Sequence, residues 1–377
     1  MDENTLRFLL ADVLNDEPPM GPVARNALRA GIRIRRRRTT GTISGVAAVA
    51  AMIGLFPAVS GLHHSAPAGR PAAHGRFKGM GGHGDRPFDV AFSPNGKILA
   101  TADSDGTGRL WSVATQQQIG TAIRLHGPRV KGIAFSPDGK VLATADSDGT
   151  VRLWNVASHR QIGAPIVAST KAVVDVAFSP DGKLLAVSAE GSPVRLWSVS
   201  TRHRVGKPID SQADARFGLS VEFSPNGKLL MTIGFDATIR LWSMSTFREV
   251  GKPIGSSGGA PVNNAAFSPN GKLIGTAGRS YFKIWSVATQ KQVSKNMPVG
   301  RFSASGVGFT ADSKVLVTTD ADGTIAQWSV ATSEQIEPVI APKDHPVFGE
   351  EAVSPAGKLL ATTQSDGPAR LWRLGKP

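Results

Sequence analysis

The chain has no cysteine and a single tyrosine among its 377 residues. The first absence excludes disulfide scaffolds, Cys-ligated zinc, iron–sulfur clusters, CxxC redox chemistry and a thiol nucleophile. It leaves oxidising compartments open. With one Tyr and acids interleaved among the basic residues there is no stacking platform for bases, so nucleic acid is not an expected partner. The eight His are scattered, and no pair has metalloprotease spacing on a helix. No metal and no cofactor is expected. Acidic residues are scarce relative to basic ones, 29 against 43, for a formal charge of +14. The excess is only partly clustered, because residues 1–38 hold eight Arg and five acids while residues 83–377 are basic but mixed.

Long apolar runs are also absent, with one exception. Between Arg38 and His63 stand 24 uncharged residues, enough to cross a hydrocarbon core that needs about 20 residues of helix. The run is rich in Gly and Ala, so Ile43, Val46, Val49, Met52, Ile53, Leu55, Phe56 and Val59 carry most of its transfer energy. Arg33, Arg35, Arg36, Arg37 and Arg38 precede it and the next basic residue is Arg70, an asymmetry that sets the N-terminus in the cytoplasm. A cleavable signal is the competing reading, with Ala58-Val59-Ser60 and Ala66-Pro67-Ala68 as small-residue sites. The 38 residues ahead of the run favour an uncleaved anchor. The expected organisation is a cytoplasmic basic segment at 1–38, a transmembrane helix at 39–62, a linker at 63–74 and a globular domain from 75 to 377. The first segment also holds Leu6, Leu9, Leu10, Val13 and Leu14 on helical spacing before Pro18 and Pro19.

What the chain has in plenty is turns, with 42 Gly and 25 Pro, and they recur at a fixed period. All seven Trp belong to one series, at 111, 154, 197, 242, 285, 328 and 372. A second phrase keeps the same period: FSPNGK from Phe92, FSPDGK from Phe135 and Phe178, FSPNGK from Phe223 and Phe267, FTADSK from Phe309 and VSPAGK from Val353. Within one period, Val130 to Phe135 alternates as a strand, SPDG turns, and Val141 to Ala145 returns. Asp146 to Gly149 turns again, Val151 to Val156 is a third strand, and Gln161 to Val167 a fourth. Four antiparallel strands per period of about 40 to 45 residues make propeller blades, so the fold class is all-β, a seven-bladed β-propeller.

LATADSDGTVRLW, from Leu142 to Trp154, with His126 nine residues before Phe135, closely resembles the WD40 repeat. The resemblance covers about 300 residues. It implies a hydrogen-bonded tetrad of His126, Thr144, Asp148 and Trp154 in blade 2, and of His83, Thr101, Asp105 and Trp111 in blade 1. Asp236, Asp322 and Asp366 keep the acid, whereas Gly191 and Arg279 occupy its place in blades 3 and 5, which should be looser. No His stands at the matching place in blades 3 to 6, and His345 is one residue out of register. Ser112, Asn155 and Arg373 replace the Asp of the Trp-Asp pair. The WSVATxxQIGxPI style is similar to bacterial members, particularly those of high-GC actinobacteria. The chain ends soon after Trp372, so the resemblance implies that the segment near Gly75 to Met80 supplies the outer strand of blade 7 and closes the ring, removing two exposed sheet edges.

Other motifs dissolve on inspection. Gly79 to Gly84 spells GxGxxG and Gly255 to Gly259 spells GxSxG, yet neither has the strand before it and helix after it that those motifs require. The DSDG turns at Asp103 and Asp146 lack the further oxygen ligands of a calcium loop, so a structural Asp is expected there. The function expected is a non-enzymatic, single-pass membrane protein, a monomeric propeller that displays a docking surface outside the cell for a protein or peptide of acidic character. Arg86, Phe88, Arg129, Lys131, Arg216, Phe217, Arg301 and Phe302 fall at the rim of the face that precedes each first strand, and Arg and aromatic side chains are enriched among binding hot spots. The alternatives are an extracytoplasmic propeller enzyme of hydrolase or quinoprotein type, and a cleaved, secreted binding protein.

Overall fold

The computed structural model describes residues 87–125, 130–209, 218–234, 236–255, 262–300, 303–336, 351–364 and 367–375. The chain divides into two compact units, Met1–Gly69 and Arg70–Pro377, and every described residue belongs to the second. The basic segment at 1–38, the apolar run at 39–62, the linker at 63–74 and the closing strand near 75–80 lie outside the described residues. Among the described residues no helix is long and apolar enough to cross a membrane.

Seven antiparallel sheets follow one another along the chain, each a meander from an inner to an outer strand. In blade 2 the strands are Val130–Phe135, Val141–Asp146, Thr150–Asn155 and Ile166–Val167. The same plan runs from Pro87–Phe92 to Ile123–Arg124 in blade 1, from Val173–Phe178 to Arg204–Ile209 in blade 3, and from Val262–Phe267 to Met297–Pro298 in blade 5. Three-stranded sheets form blade 4 (Gly218–Phe223 to Ile239–Ser243), blade 6 (Ala304–Phe309 to Ile325–Ser329) and blade 7 (Glu351–Val353 to Gly367–Arg373) among the described residues. Asp146 is the last residue of its strand rather than the first of the turn. The outer strand is also less regular than the sequence suggests. It touches the third strand at Trp154 and Gln161, breaks at Gly163, and resumes at Ile166. Gly163 has φ of 63° and Pro165 follows it, and the two interrupt the ladder together.

The second strand is the most buried of each blade, because neighbouring blades cover both of its faces. Seven apolar clusters result, one at each junction. Between blades 1 and 2, Ala100, Leu110 and Ile123 meet Val130, Ile133 and Trp154. Between blades 7 and 1, Ala361, Ala369 and Leu371 meet Val90, Leu99 and Trp111. The Trp of a blade packs toward the blade before it in every case, including Trp197 against blade 2 and Trp372 against blade 6. A ring with no first interface buries each of these indoles, worth about 1.5–3 kcal/mol for a large apolar side chain.

Carboxylates on the inner strands add polar ties. An inner strand has one edge without a ladder partner, and its N–H groups need acceptors. Asp89 Oδ2 accepts the Ile133 N–H of the next blade at 2.7 Å, Asp175 Oδ2 accepts the Val221 N–H at 2.9 Å, and Glu222 accepts the Phe267 N–H at 3.1 Å. Burial pushes the Glu222 carboxyl up to about 8, with the Asp175 charge adding to the effect. Gly132 makes room for this packing, since a Cβ there would come within 3.0 Å of the Asp175 backbone.

Candidate docking faces

Up-and-down strand order sends alternate connections to opposite faces. Turns between second and third strands share a face with the loops between blades, as the Leu125 N–H to Gly106 carbonyl and Ala168 N–H to Gly149 carbonyl bonds show. Turns between first and second strands share the other face with those between third and fourth strands. There the Val156 N–H reaches the Lys140 carbonyl, and the matching bond recurs in all seven blades.

On the loop face of blade 2, a chain of polar groups begins in the core. Trp154 Nε1 donates to Thr144 Oγ1 at 3.1 Å, Asp146 follows two residues later on the same strand, and Asp146 holds the Arg152 guanidinium. Arg152 Nη2 then reaches Asp148 at 3.0 Å, and Asp148 also accepts the Thr150 N–H and hydroxyl. Blade 1 repeats the chain through Trp111, Thr101, Asp103, Arg109, Asp105 and Thr107. Burial pushes the Asp103 and Asp146 carboxyls up to about 6, although the arginines pull the other way. Asp105 and Asp148 differ. Burial works against them too, yet the Thr107 or Thr150 and Arg109 or Arg152 hydrogen bonds hold them below the usual carboxylate range. His83 and His126 lie outside the described residues.

The network thins in other blades. The Trp to Thr bond is present in six blades at 2.9 to 3.1 Å. In blade 3, Val187 holds the Thr position and the buried Trp197 Nε1 has no acceptor. In blade 6 the acids remain as Asp320 and Asp322, but Ala326 stands where blades 1 and 2 have Arg. Asp320 instead accepts the Gly300 N–H at 2.7 Å, and burial pushes its carboxyl up to about 6.

Of the residues expected at the rim, Phe88 is half-buried in the inner strand of blade 1. Lys131 is half-exposed and its Nζ pairs with Glu190 of blade 3 at 2.6 Å, an intramolecular commitment that the sequence did not reveal. Arg86, Arg129, Arg216, Phe217, Arg301 and Phe302 lie outside the described residues. The pairing of the second-strand carboxylates Asp103 and Asp146 with Arg109 and Arg152, and the burial of Asp320, escaped the sequence reading. A signal existed, because the acids stand eight residues before Trp and Arg109, Arg152 and Arg240 two residues before it. Among the described residues no three of His, Cys, Asp and Glu are placed to hold a metal ion.

The opposite face is nearly identical in every blade. In the turns of blades 1 to 6 a Ser or Thr hydroxyl and an Asn or Asp side-chain oxygen cross-brace the loop, as where Ser136 Oγ donates to Asp138 at 2.6 Å and the Val141 and Lys140 N–H groups donate to Ser136 and Asp138; blade 7 has Ala356 in place of the acid or amide and keeps the Ser354 bond. Gly139 has φ of 70° and stacks on Pro94 of the preceding blade, as Gly182 does on Pro137 and Gly227 on Pro180. The Lys side chain ends up exposed each time.

The family model described as WD domain, G-beta repeat matches residues 76–112, 117–155, 164–198 and 217–243. A comparison with curated proteins finds no match. The matched segments fall in blades 1 to 4, and the same strand plan, turn chemistry and Trp to Thr bond continue through blade 7. The chain carries WD40 repeats and folds them into a seven-bladed β-propeller.

Proposed function

We propose that the protein is a non-enzymatic docking platform, anchored in the cell membrane by residues 39–62, that presents the loop face of its propeller to a protein or peptide outside the cell. WD40 propellers are typically protein-interaction scaffolds. The observation that carries the reading is the contrast between faces. Five residues join the first and second strands in every blade, whereas the loops between blades hold five residues after blades 1, 2 and 5 but eight after blade 3. A surface that recognises one partner needs a shape that sets it apart, and here the loop face is the one whose connections depart from the repeat in length. By their place in the chain, Arg86, Arg129, Arg216, Phe217, Arg301 and Phe302 belong to those loops, and they favour an acidic partner.

The test replaces Arg86, Arg129 and Phe217 with Ala together in the full chain and compares cross-linked partners in intact cells. Loss of the partner from the folded triple variant is expected. Retention of the partner would move the site to the other face or to the N-terminal segment. Protease added to intact cells should remove the propeller; a propeller protected until lysis would overturn the topology.

A further inference from the structure

The uniform face has a charge pattern of its own. Lys97, Lys140, Lys183, Lys228, Lys272, Lys314 and Lys358 occupy the same position in all seven turns between first and second strands, and all are exposed. Three acids, Asp138, Asp181 and Asp312, share these turns, and each accepts a hydrogen bond from the turn's own Ser or Thr. Among the described residues only Lys183 has a carboxylate within ion-pair range, Asp181 at 3.9 Å. The adjacent turns between third and fourth strands add exposed Arg160, Arg248 and Lys291, opposed by Glu249 and Glu334. On the loop face the turns between second and third strands have no such lysine ring: Asp105, Asp148 and Asp236 pair there with Arg109, Arg152 and Arg240, and Asp103, Asp146 and Asp320 are buried at the strand ends.

We infer that this lysine ring seats the propeller on an anionic lipid bilayer. Three features select a membrane over a compact partner. The turns are fixed by the same backbone bonds and a Ser or Thr hydroxyl in every blade, so the seven ammonium groups spread over the whole face rather than gathering in one recess. Lysine supplies a mobile point charge suited to diffuse attraction, without the fork by which Arg reads one carboxylate or phosphate. Finally, 24 residues separate Leu62 from Pro87, so an anchored chain holds the first strand within roughly 80–90 Å of the bilayer, at about 3.3–3.6 Å per residue. The inference rests for that proximity on residues 39–62 being a membrane span. It adds an orientation, in which the uniform face turns toward the lipid and the variable loops turn away.

The full chain is placed in nanodiscs of phosphatidylcholine alone or with 30 mol% phosphatidylglycerol (~30%, a composition at which each basic residue near the surface is worth roughly fivefold in lipid affinity). Brief amine acetylation is then read at each lysine by mass spectrometry. The seven turn lysines should react several-fold more slowly in the anionic discs at low salt, and the protection should vanish at high salt. Exposed Lys171, in the loop between blades 2 and 3, should react equally in both. Replacing Lys140, Lys183 and Lys228 with Gln should weaken lipid affinity about a hundredfold and restore the reactivity of the remaining four. Equal reactivity in the two discs, with the chain still held in them, overturns the inference. So does protection by added polyglutamate in neutral discs without protection by phosphatidylglycerol, which would assign the face to an acidic protein. A chain that leaves the discs refutes the anchor instead; the ring is then scored by flotation with phosphatidylglycerol vesicles, where floating supports it and sedimenting refutes it.

Discussion

In blade 2 a line of polar groups runs from Trp154 through Thr144 and Asp146 to Arg152 and Asp148; in blade 3 the corresponding positions are Trp197, Val187, Ala189, Arg195 and Gly191. The strands superpose in register all the same, with Leu185 opposite Trp197 as Leu142 is opposite Trp154. The blade is therefore set by the apolar alternation and the turns, and the polar line is an addition that a blade can lack. Blade 3 offsets the loss in two ways visible in its outer strand. Arg204–Ile209 is a continuous six-residue strand where blade 2 has two residues, and the Arg204 guanidinium lies 5.2 Å from the Trp197 ring centroid. A cation over an indole is worth about 0.5–1 kcal/mol at an exposed site.

The sharpest way to break the contrast is to take the buried acid from blade 2. Asp146→Ala leaves the largely buried Arg152 with Asp148 as its one carboxylate beside the Thr150 hydroxyl, and removing one member of a buried pair typically costs about 3–5 kcal/mol. A loss near the lower figure is expected in urea unfolding, while Asp148→Ala, on a side chain about one-third exposed, should cost less. The same acid gives a pH signature. Its carboxyl is about 6 in the folded chain and 3.8 without burial, so the folded state holds more protons between those values and stability falls as pH rises through that window. Asp103 and Asp320 act in the same direction. Melting temperature should drop between pH 4.5 and 6.5 in the wild type and drop less in Asp146→Ala; an identical slope in the two proteins would refute the assignment (window on the order of two pH units).

A milder change makes blade 2 resemble blade 3. Thr144→Val removes the acceptor of Trp154 Nε1 and should cost about 1–3 kcal/mol, the penalty for a buried unsatisfied donor. The reciprocal exchange makes blade 3 resemble blade 2. Val187→Thr offers Trp197 the oxygen that six other blades provide, and a gain of about 1 kcal/mol is expected by thermal unfolding. Destabilisation by Val187→Thr would mean that the hydroxyl finds no room opposite the indole.

Much of this architecture is legible from residues alone. Strict spacing of Trp and of the SPxGK phrase gives the number of blades and the strand order, because each period-2 run between Gly and Pro turns has only one antiparallel way to pair locally. The Trp to Thr bond is what the resemblance to the WD40 repeat implies, and six blades carry it. Other features needed the fold. Lys131 stands second in the first strand of blade 2, and only the approach of blade 3 shows that Glu190 neutralises it, across 59 positions. The first Asp of each DSDG turn looks like a solvated turn residue until the second strand is seen to be covered on both faces, which buries Asp146 and makes Arg152 its necessary partner.

Spacing along the chain specifies the repeat and its seven copies, since those rest on contacts between residues a few positions apart. Tertiary structure decided what the copies do together. Stacking blades around a closed ring places every Lys of the SPxGK turns on one face and, among the described residues, the Asp–Arg pairs of blades 1, 2 and 4 on the other. It also decides which Trp finds a neighbour's core and which carboxylate reaches the next inner strand. These depend on how one blade meets another, and no spacing within a single blade specifies that meeting.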